Sequence, residues 1–142
     1  MIELKGLFNF SDRLQMAALD QRVTKSQVLH GNIANAETPG FRAIGYEFEE
    51  QLRDIYGATE EGLALEVTHP EHKKQPFANA NGEMTPDVFV RPSESVGHDG
   101  NTVDVDIEMQ ELAENQILYR ATIESINKKI AMIRYAIHGG RG

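Results

Sequence analysis

Two histidines in the middle of the chain come closest, by type and spacing, to a metal site. His69 and His72 stand three residues apart in THPEHKK. Imidazole nitrogens bind zinc, but a zinc site needs three or four ligands. Pro70 breaks any helix here, and the sequence shows no clear third metal ligand nearby. Lys73 and Lys74 add positive charge, which would repel a metal cation. We therefore interpret both histidines as solvated loop residues and expect no metal or other cofactor.

A second group of candidate ligands is the oxygen-rich stretch DGNTVDVDIEM. Its polar side chains are Asp99, Asn101, Asp104, Asp106 and Glu108. A calcium loop of the helix-loop-helix type requires glycine at its sixth position. Counted from Asp99 or from Asp104, the sixth residue is Asp104 or Met109, so neither register fits. We interpret Asp-Gly as a turn and expect Asn101, Thr102 or Asp104 to cap a following helix.

The composition excludes several classes of function. The 142-residue chain has a formal net charge of −8, which argues against binding to nucleic acid or to anionic lipid, because both require a basic protein surface. It has no cysteine, and therefore no disulfide, thiolate ligand or cysteine nucleophile. No glycine-rich phosphate loop or catalytic triad is recognisable. Charged residues interrupt the N-terminal segment where a cleavable signal would lie, which predicts a protein that is cytoplasmic or exported without one.

The C-terminal third of the chain carries a heptad pattern. Alternating steps of four and three define one seam, in which only Gln116 is polar: Val105, Met109, Leu112, Gln116, Tyr119, Ile123, Ile126, Ile130, Ile133 and Ile137. This pattern predicts a coiled-coil helix over about residues 104–138. An isoleucine left in water forfeits about 2 kcal/mol of burial, and isoleucine at both seam positions favours higher-order packing. We therefore predict that the seam packs against neighbouring helices.

A second long helix is predicted over about residues 11–35. Met16, Leu19 and Val23 continue the spacing of three and four, but Ser26 and His30 dilute the apolar face. A helix with such a weak face gains most of its stability from packing against a partner. We predict a mainly α fold in which the long N- and C-terminal helices form a coiled-coil-like pair.

The middle of the chain predicts a small extended insertion. The spacing of Phe48, Leu52 and Ile55 indicates a short helix. Alternating apolar residues indicate strands at Leu63, Leu65 and Val67 and at Val88 and Val90. Asn81-Gly82 indicates a tight β-hairpin turn. We divide the chain into an N-terminal helix with a corner (1–40), an extended insertion with a short helix and a β-hairpin (41–100) and a C-terminal heptad helix (101–142). Together they make one structural unit.

The segment HGNIANAETPGFRA predicts that the first helix ends here and that the chain then turns sharply, at a corner. Asn32 or Asn35 can end the helix in the left-handed conformation. Pro39 drives Thr38 out of the helical region. Gly40 supplies the positive φ that a type II turn requires.

The residue sequence of this segment resembles the N-terminal signature of the bacterial flagellar rod and hook proteins. That signature is N-I-A-N-A-x-T-P-G followed by an aromatic residue, and it comes after a helix. The matching positions are Asn32, Ile33, Ala34, Asn35, Ala36, Thr38, Pro39, Gly40 and Phe41. The C-terminal half is similar to the proximal rod subunits of the FlgB type, in which D-G-N-x-V-D opens the terminal helix. The positions that carry this second likeness are Asp99, Gly100, Asn101, Val103 and Asp104. The resemblance covers about residues 12–56 and 98–137.

This resemblance implies a structural part of the flagellar basal body and not an enzyme. Subunits of the family pass unfolded through the flagellar type III export apparatus and assemble in the periplasm into the rod. Their terminal helices pack against other rod subunits, and the proximal rod adjoins the proteins of the membrane ring. Neither nucleic acid nor a small-molecule substrate is implied.

Two other hypotheses stay open at this point. One is a soluble helical adapter or chaperone whose seam binds a single partner helix, which a stable, fully helical dimer in solution would support. The other is a metal-dependent enzyme that uses His69, His72 and nearby acidic residues, which bound metal in a purified sample would support.

Overall fold

A computed structural model of the chain describes residues 10–60, 84–92 and 97–139, with only the backbone for 57–60. Its elements are α1 (Phe10–Ala34), β1 (Ile44–Glu47), α2 (Glu49–Glu60), β2 (Asp87–Val90) and α3 (Val105–Ile137). The mainly helical fold with two long helices and a small sheet between them confirms the predicted fold class. The predicted strand at 63–67, the turn at 81–82 and the histidines at 69 and 72 lie outside the described residues.

Helix α3 begins and ends at recognisable caps. The side chain of Asp104 accepts hydrogen bonds from the backbone N–H groups of Asp106 at 3.0 Å and Ile107 at 3.3 Å. Gly139, just past the helix, has a φ of +64°, which only glycine adopts readily. The 33 residues between these caps make a rod about 50 Å long.

Helices α1 and α3 pack antiparallel, and polar contacts set their register at three levels. The Asn32 amide donates to Glu108 at 3.0 Å. In the middle, the Arg22 guanidinium donates to Asn115 at 3.3 Å and the Asn115 amide returns a bond to the Arg22 carbonyl at 2.8 Å. Near the other end Lys129 forms an ion pair with Asp12. We call this set the polar ladder: Asp12, Arg22, Asn32, Glu108, Asn115 and Lys129.

The two strands form one antiparallel ribbon. Ile44 pairs with Val90 and Gly45 pairs with Phe89. Strand β2 therefore contains the predicted Val88 and Val90, but its partner is β1, which the sequence did not predict as a strand. A Cβ at Gly45 would lie 2.5 Å from Cζ of Phe89, so the aromatic ring occupies the space that glycine leaves open.

A small apolar core lies where the ribbon and α2 meet α1. Phe48 is fully buried there, with Ala18, Tyr46 and Met84 around it. The Arg22 guanidinium stands 5.4 Å from the centre of the Phe48 ring, in cation–π geometry. Among the described helices, none has the length and apolar content needed to cross a membrane.

Candidate functional site

The two sequence segments that carry the family resemblance meet in space. The side-chain amide of Asn101 donates to three carbonyls just beyond the end of α1: Asn35 at 2.9 Å, Ala36 at 2.9 Å and Thr38 at 2.8 Å. The side-chain oxygen of Asn101 accepts a hydrogen bond from the backbone N–H of Val103 at 2.8 Å. A single side chain thus holds the exit of α1 and the approach to α3. We call the meeting of residues 32–43 and 99–104 the joint.

Backbone hydrogen bonds complete the joint on both sides of Asn101. Gly40 donates to the carbonyl of Asp99 at 3.0 Å, and Thr102 donates to the carbonyl of Phe41 at 3.0 Å. The Thr102 hydroxyl accepts the N–H of Ala43 at 3.0 Å. The two chain segments therefore run beside each other, joined like short strands.

Gly40 makes the corner possible. The N–H of Phe41 donates to the carbonyl of Thr38 at 3.2 Å, and Gly40 has a φ of +71°, as a type II turn requires. A Cβ at Gly100 would lie 3.6 Å from the Gly40 Cα, and Gly100 has a φ of +81°. Glycine is thus used on both sides of the joint, once in each segment.

The prediction that an asparagine ends α1 in the left-handed conformation is wrong. Among the described residues, every residue with positive φ is a glycine. Asn32 is instead almost completely buried, at 1% exposure. Its amide donates to the carbonyl of Ile44 at 2.8 Å, and its oxygen accepts the N–H of Ile44 at 3.0 Å. Asn32 therefore pins strand β1 to α1, while its contact with Glu108 pins α3.

Glu108 is a carboxylate buried at the start of α3, at 1% exposure. Besides the hydrogen bond from the Asn32 amide, the Glu108 carboxylate accepts one from the Arg91 guanidinium at 2.8 Å. Arg91 also forms an ion pair with Glu111 at 3.0 Å. Burial raises the pKa of Glu108, while the Asn32 hydrogen bond and the Arg91 charge act in the opposite direction. The group ties the end of β2 to both long helices.

The remaining motif residues mostly line the surface of the joint. Ile33, Asn35, Ala36 and Phe41 are half-buried, whereas Ala34, Thr38, Pro39 and Gly40 are exposed. In the second segment, Asn101 is buried, Val103 is half-buried, and Asp99, Gly100 and Asp104 are exposed. Part of the joint's surface is therefore open to solvent or to a neighbouring molecule.

Helix α1 covers only one side of the predicted seam on α3. Leu112 is buried, and Tyr119, Ile123, Ile126 and Ile133 are half-buried. The other seam positions are exposed, and we call them the exposed row: Val105, Met109, Gln116, Ile130 and Ile137. The exposed fractions of Met109 and Ile137 are 54% and 71%. The single chain thus leaves half of the seam without a partner among the described residues.

A row of polar residues, and not the apolar spacing, determines which face of α3 turns toward α1. Every seventh residue beside the apolar seam is polar, at Glu108, Asn115, Thr122 and Lys129. Three of these four belong to the polar ladder and contact α1. This polar row was the signal in the sequence that identifies the face turned to α1.

Candidate metal ligands do not cluster in the part of the chain that the structure describes. Within residues 10–60, 84–92 and 97–139, no group of three or more His, Cys, Asp or Glu side chains lies close enough to hold a metal ion. The buried polar groups of the joint and the ladder bind one another. Such an arrangement fixes the angle and register of the helices.

Comparison with known proteins finds relatives over nearly the whole chain. The sequence is 31% identical over 141 residues to the flagellar basal body rod protein FlgB of Proteus mirabilis (strain HI4320), covering 97% of this chain and 98% of that protein. It is 32% identical over 124 residues to FlgB of Bacillus subtilis (strain 168), covering 87% and 90%. It is 34% identical over 122 residues to FlgB of Aeromonas hydrophila, covering 86% and 88%. No protein-family model matches the chain.

Proposed function

This chain belongs to the FlgB family of flagellar basal body rod proteins, and from that premise we propose that it is a structural subunit assembled into the proximal rod through its two terminal helices. The partners in this proposal are other rod subunits and the proteins of the membrane ring. The similarity to relatives spans both helices and the joint, so it covers the parts that the proposal uses.

The observation that carries the proposal is the exposed row along α3. From Val105 to Ile137 it extends over about 48 Å of helix, with four of its five members apolar. Isolated exposed apolar side chains are common, but a long row on one face marks an interaction surface. Because α1 packs against the polar ladder and one row of the seam, the exposed row is left for helices of neighbouring subunits.

The joint gives this surface a fixed geometry. Asn101, Gly40 and Asn32 hold the exit of α1, the start of α3 and strand β1 in one arrangement. A subunit that repeats in a regular assembly must present its contact faces at a constant angle, since heterologous contacts define the symmetry of the product. The joint is therefore a structural element of assembly and has no catalytic role in this proposal.

The proposed route to the rod is export by the flagellar type III apparatus, so that the subunit reaches the periplasmic rod. Folded proteins are stable by only about 5–15 kcal/mol, a margin that an export machine can overcome. Passage as an unfolded chain is therefore compatible with the fold.

Localisation of the subunit tests the proposal. The chain, carrying a small internal tag at an exposed position, replaces the native subunit in its own host, and basal bodies are purified. We expect the tag in the basal-body fraction and cells that swim. Cells that swim while the tag stays entirely in the cytoplasm would contradict the rod assignment and favour a soluble adapter.

A further inference from the structure

A groove of about 340 Å³ opens between the first half of α1, helix α2 and the middle of α3. Leu14 and Ala18 of α1 and Leu52 of α2 supply apolar lining, and Arg22 and Arg53 also line the groove. None of these residues belongs to the joint or to the exposed row. The groove has the size and the mixed lining of a site for a few side chains.

Arg22 is a buried cation whose hydrogen-bonding capacity is incompletely used. It is 7% exposed, and its Nε has no hydrogen-bond partner among the described residues. Its Nη1 lies 3.3 Å from Asn115 and 3.6 Å from Glu49. Glu49 also binds Lys25 at 3.0 Å, so this one carboxylate is shared between two cations.

The groove is locally positive in an acidic protein. Its lining contains Arg22 and Arg53 against the single carboxylate of Glu49, whereas the whole chain has a formal net charge of −8. Two copies of such a chain repel each other unless a region of opposite sign faces the acidic surface. The groove therefore favours an occupant that is apolar and carries a carboxylate.

The start of α3 presents a surface of that kind. Met109 lies four residues after Val105 and three after Asp106, so its side chain neighbours both of them on the helix surface. Val105 is 41% exposed and Met109 is 54% exposed, and Asp106 between them is also exposed. We call these three residues the entry face. Val105 and Met109 are members of the exposed row, so the entry face is continuous with the proposed assembly surface.

The entry face cannot fill the groove of its own chain. Leu14 and Asn32 are 18 residues apart on α1, which is about 27 Å along the helix. Asn32 contacts Glu108, next to Met109. The two surfaces thus lie toward opposite ends of the helix pair, and a contact between them must join two copies.

We propose that the entry face of one copy docks in the groove of the next copy, with Asp106 facing the guanidinium groups of Arg22 and Arg53. The proposal rests on the proposed function and names one contact within it. The two surfaces are different, so the contact is heterologous and leaves a free groove and a free entry face at the ends. A contact of this type builds an open linear array instead of a closed dimer.

Two surface variants separate the two halves of this contact. Arg53→Glu reverses the charge at the groove and leaves the entry face intact, whereas Met109→Asp damages the entry face and leaves the groove intact. Met132→Asp is the matched control, since Met132 is 65% exposed on the same helix but distant from the entry face. The full chain and each variant are measured by sedimentation velocity over a concentration series, with circular dichroism to show that each is folded.

We expect the wild type and Met132→Asp to form longer species as concentration rises. Each of the other variants alone should associate more weakly by about tenfold or more, which is about 1.4 kcal/mol. Their equimolar mixture should form 1:1 dimers and nothing longer, because each partner contributes one intact surface. A mixture that stays monomeric, or a wild type that is monomeric at every soluble concentration, would overturn the proposed contact.

The result also separates this contact from the rod assignment. If the mixture stays monomeric while the tagged subunit is found in basal bodies, only the groove contact is wrong. If the dimer forms but the tag never leaves the cytoplasm, the contact is right and the rod assignment is wrong.

Discussion

The side-chain amide of Asn101 lies 2.8 Å from the carbonyl oxygen of Thr38, although 63 residues separate them in the chain. The two segments that resemble the flagellar rod and hook family are thus halves of one structure. The first segment bends the chain out of α1 at Gly40. The second segment holds that bend with one amide and then starts α3 at the cap of Asp104. Neither segment forms this arrangement alone.

Replacing Asn101 with alanine should destabilise the folded chain. The change removes the donor for the carbonyls of Asn35, Ala36 and Thr38 and the acceptor for Val103. A hydrogen bond contributes about 1 kcal/mol net, and buried groups left unpaired cost more, so we expect a loss of about 2–3 kcal/mol. Urea unfolding of the purified chain, followed by circular dichroism, measures the change.

Asn127→Ala is the control for this prediction because Asn127 is exposed on α3. Alanine is the better helix former, so this variant should be as stable as the wild type or slightly more so. Equal stabilities for the Asn101 and Asn127 variants would show that the joint does not hold the two segments together.

Replacing Gly40 with valine should strain the corner through the backbone alone. A Cβ at Gly40 would meet nothing within 4 Å, but φ is +71°. A β-branched residue in that conformation costs about 1–2 kcal/mol, and the chain would leave α1 in a different direction. We expect reduced stability in urea unfolding, with export retained and rod assembly lost in cells.

Gly31 supplies the opposite case on the same segment. It lies inside α1, and a Cβ there also meets nothing within 4 Å. Gly31→Ala should stabilise the chain by about 0.5–1 kcal/mol, since glycine is unfavourable inside a helix. If Gly40→Val and Gly31→Ala shift stability in the same direction, positive φ at Gly40 is not what the corner requires.

Glu108 should give the chain a characteristic pH dependence. Burial raises its folded pKa above the ordinary value of 4.5, so between the two values the folded state binds more protons than the unfolded state. Stability that the protonated group contributes is therefore lost as the pH rises through the folded pKa. Relative to Glu108→Gln, which does not ionise, the free energy of unfolding of the wild type should fall over this window.

The difference between the two proteins isolates Glu108 from other groups. Burial also raises the pKa of Glu47, whereas at Glu49 burial is outweighed by hydrogen bonds and the Lys25 charge, which lower its pKa. Both groups are present in both proteins. Unfolding free energies measured from below pH 4.5 upward provide the comparison. A wild type that gains stability over Glu108→Gln as the pH rises would show that the Arg91 and Asn32 contacts outweigh burial.

The long helices and the corner were predictable from sequence because local rules determine them. Steps of three and four among apolar residues indicate a helix whatever surrounds it, and Pro39-Gly40 defines a turn through its own backbone preferences. Strand β1 was not predicted, because glycine at its second position weakens the strand signal. The Phe89 ring fills the space beside Gly45, and the Asn32 side chain makes two hydrogen bonds with the backbone of Ile44. Neither partner is adjacent to β1 in the sequence, so local patterns do not reveal the strand.

The orientation of the seam could not be predicted from apolar spacing alone. That spacing placed Ile126 in the seam predicted to pack against neighbouring helices. Ile126 is half-buried, on the side of α3 that faces α1. The polar ladder decides the rotation, since Asn115 and Glu108 must face Arg22 and Asn32 to be satisfied. Ile130, at 37% exposure, lies on the open side. It is therefore the better position at which to test assembly.

The measurement that tests the central claim most directly is the yield of basal bodies alongside secreted subunit for Ile130→Asp. A charge placed in the exposed row must be buried unpaired at the subunit contact, at a cost of several kcal/mol, while the free monomer keeps that residue in water. Glu124→Lys, on an exposed part of the same helix, is the control. We predict that Ile130→Asp is secreted but forms no rods, whereas Glu124→Lys assembles normally. Equal basal-body yields for the two variants would contradict assembly through the exposed row of α3.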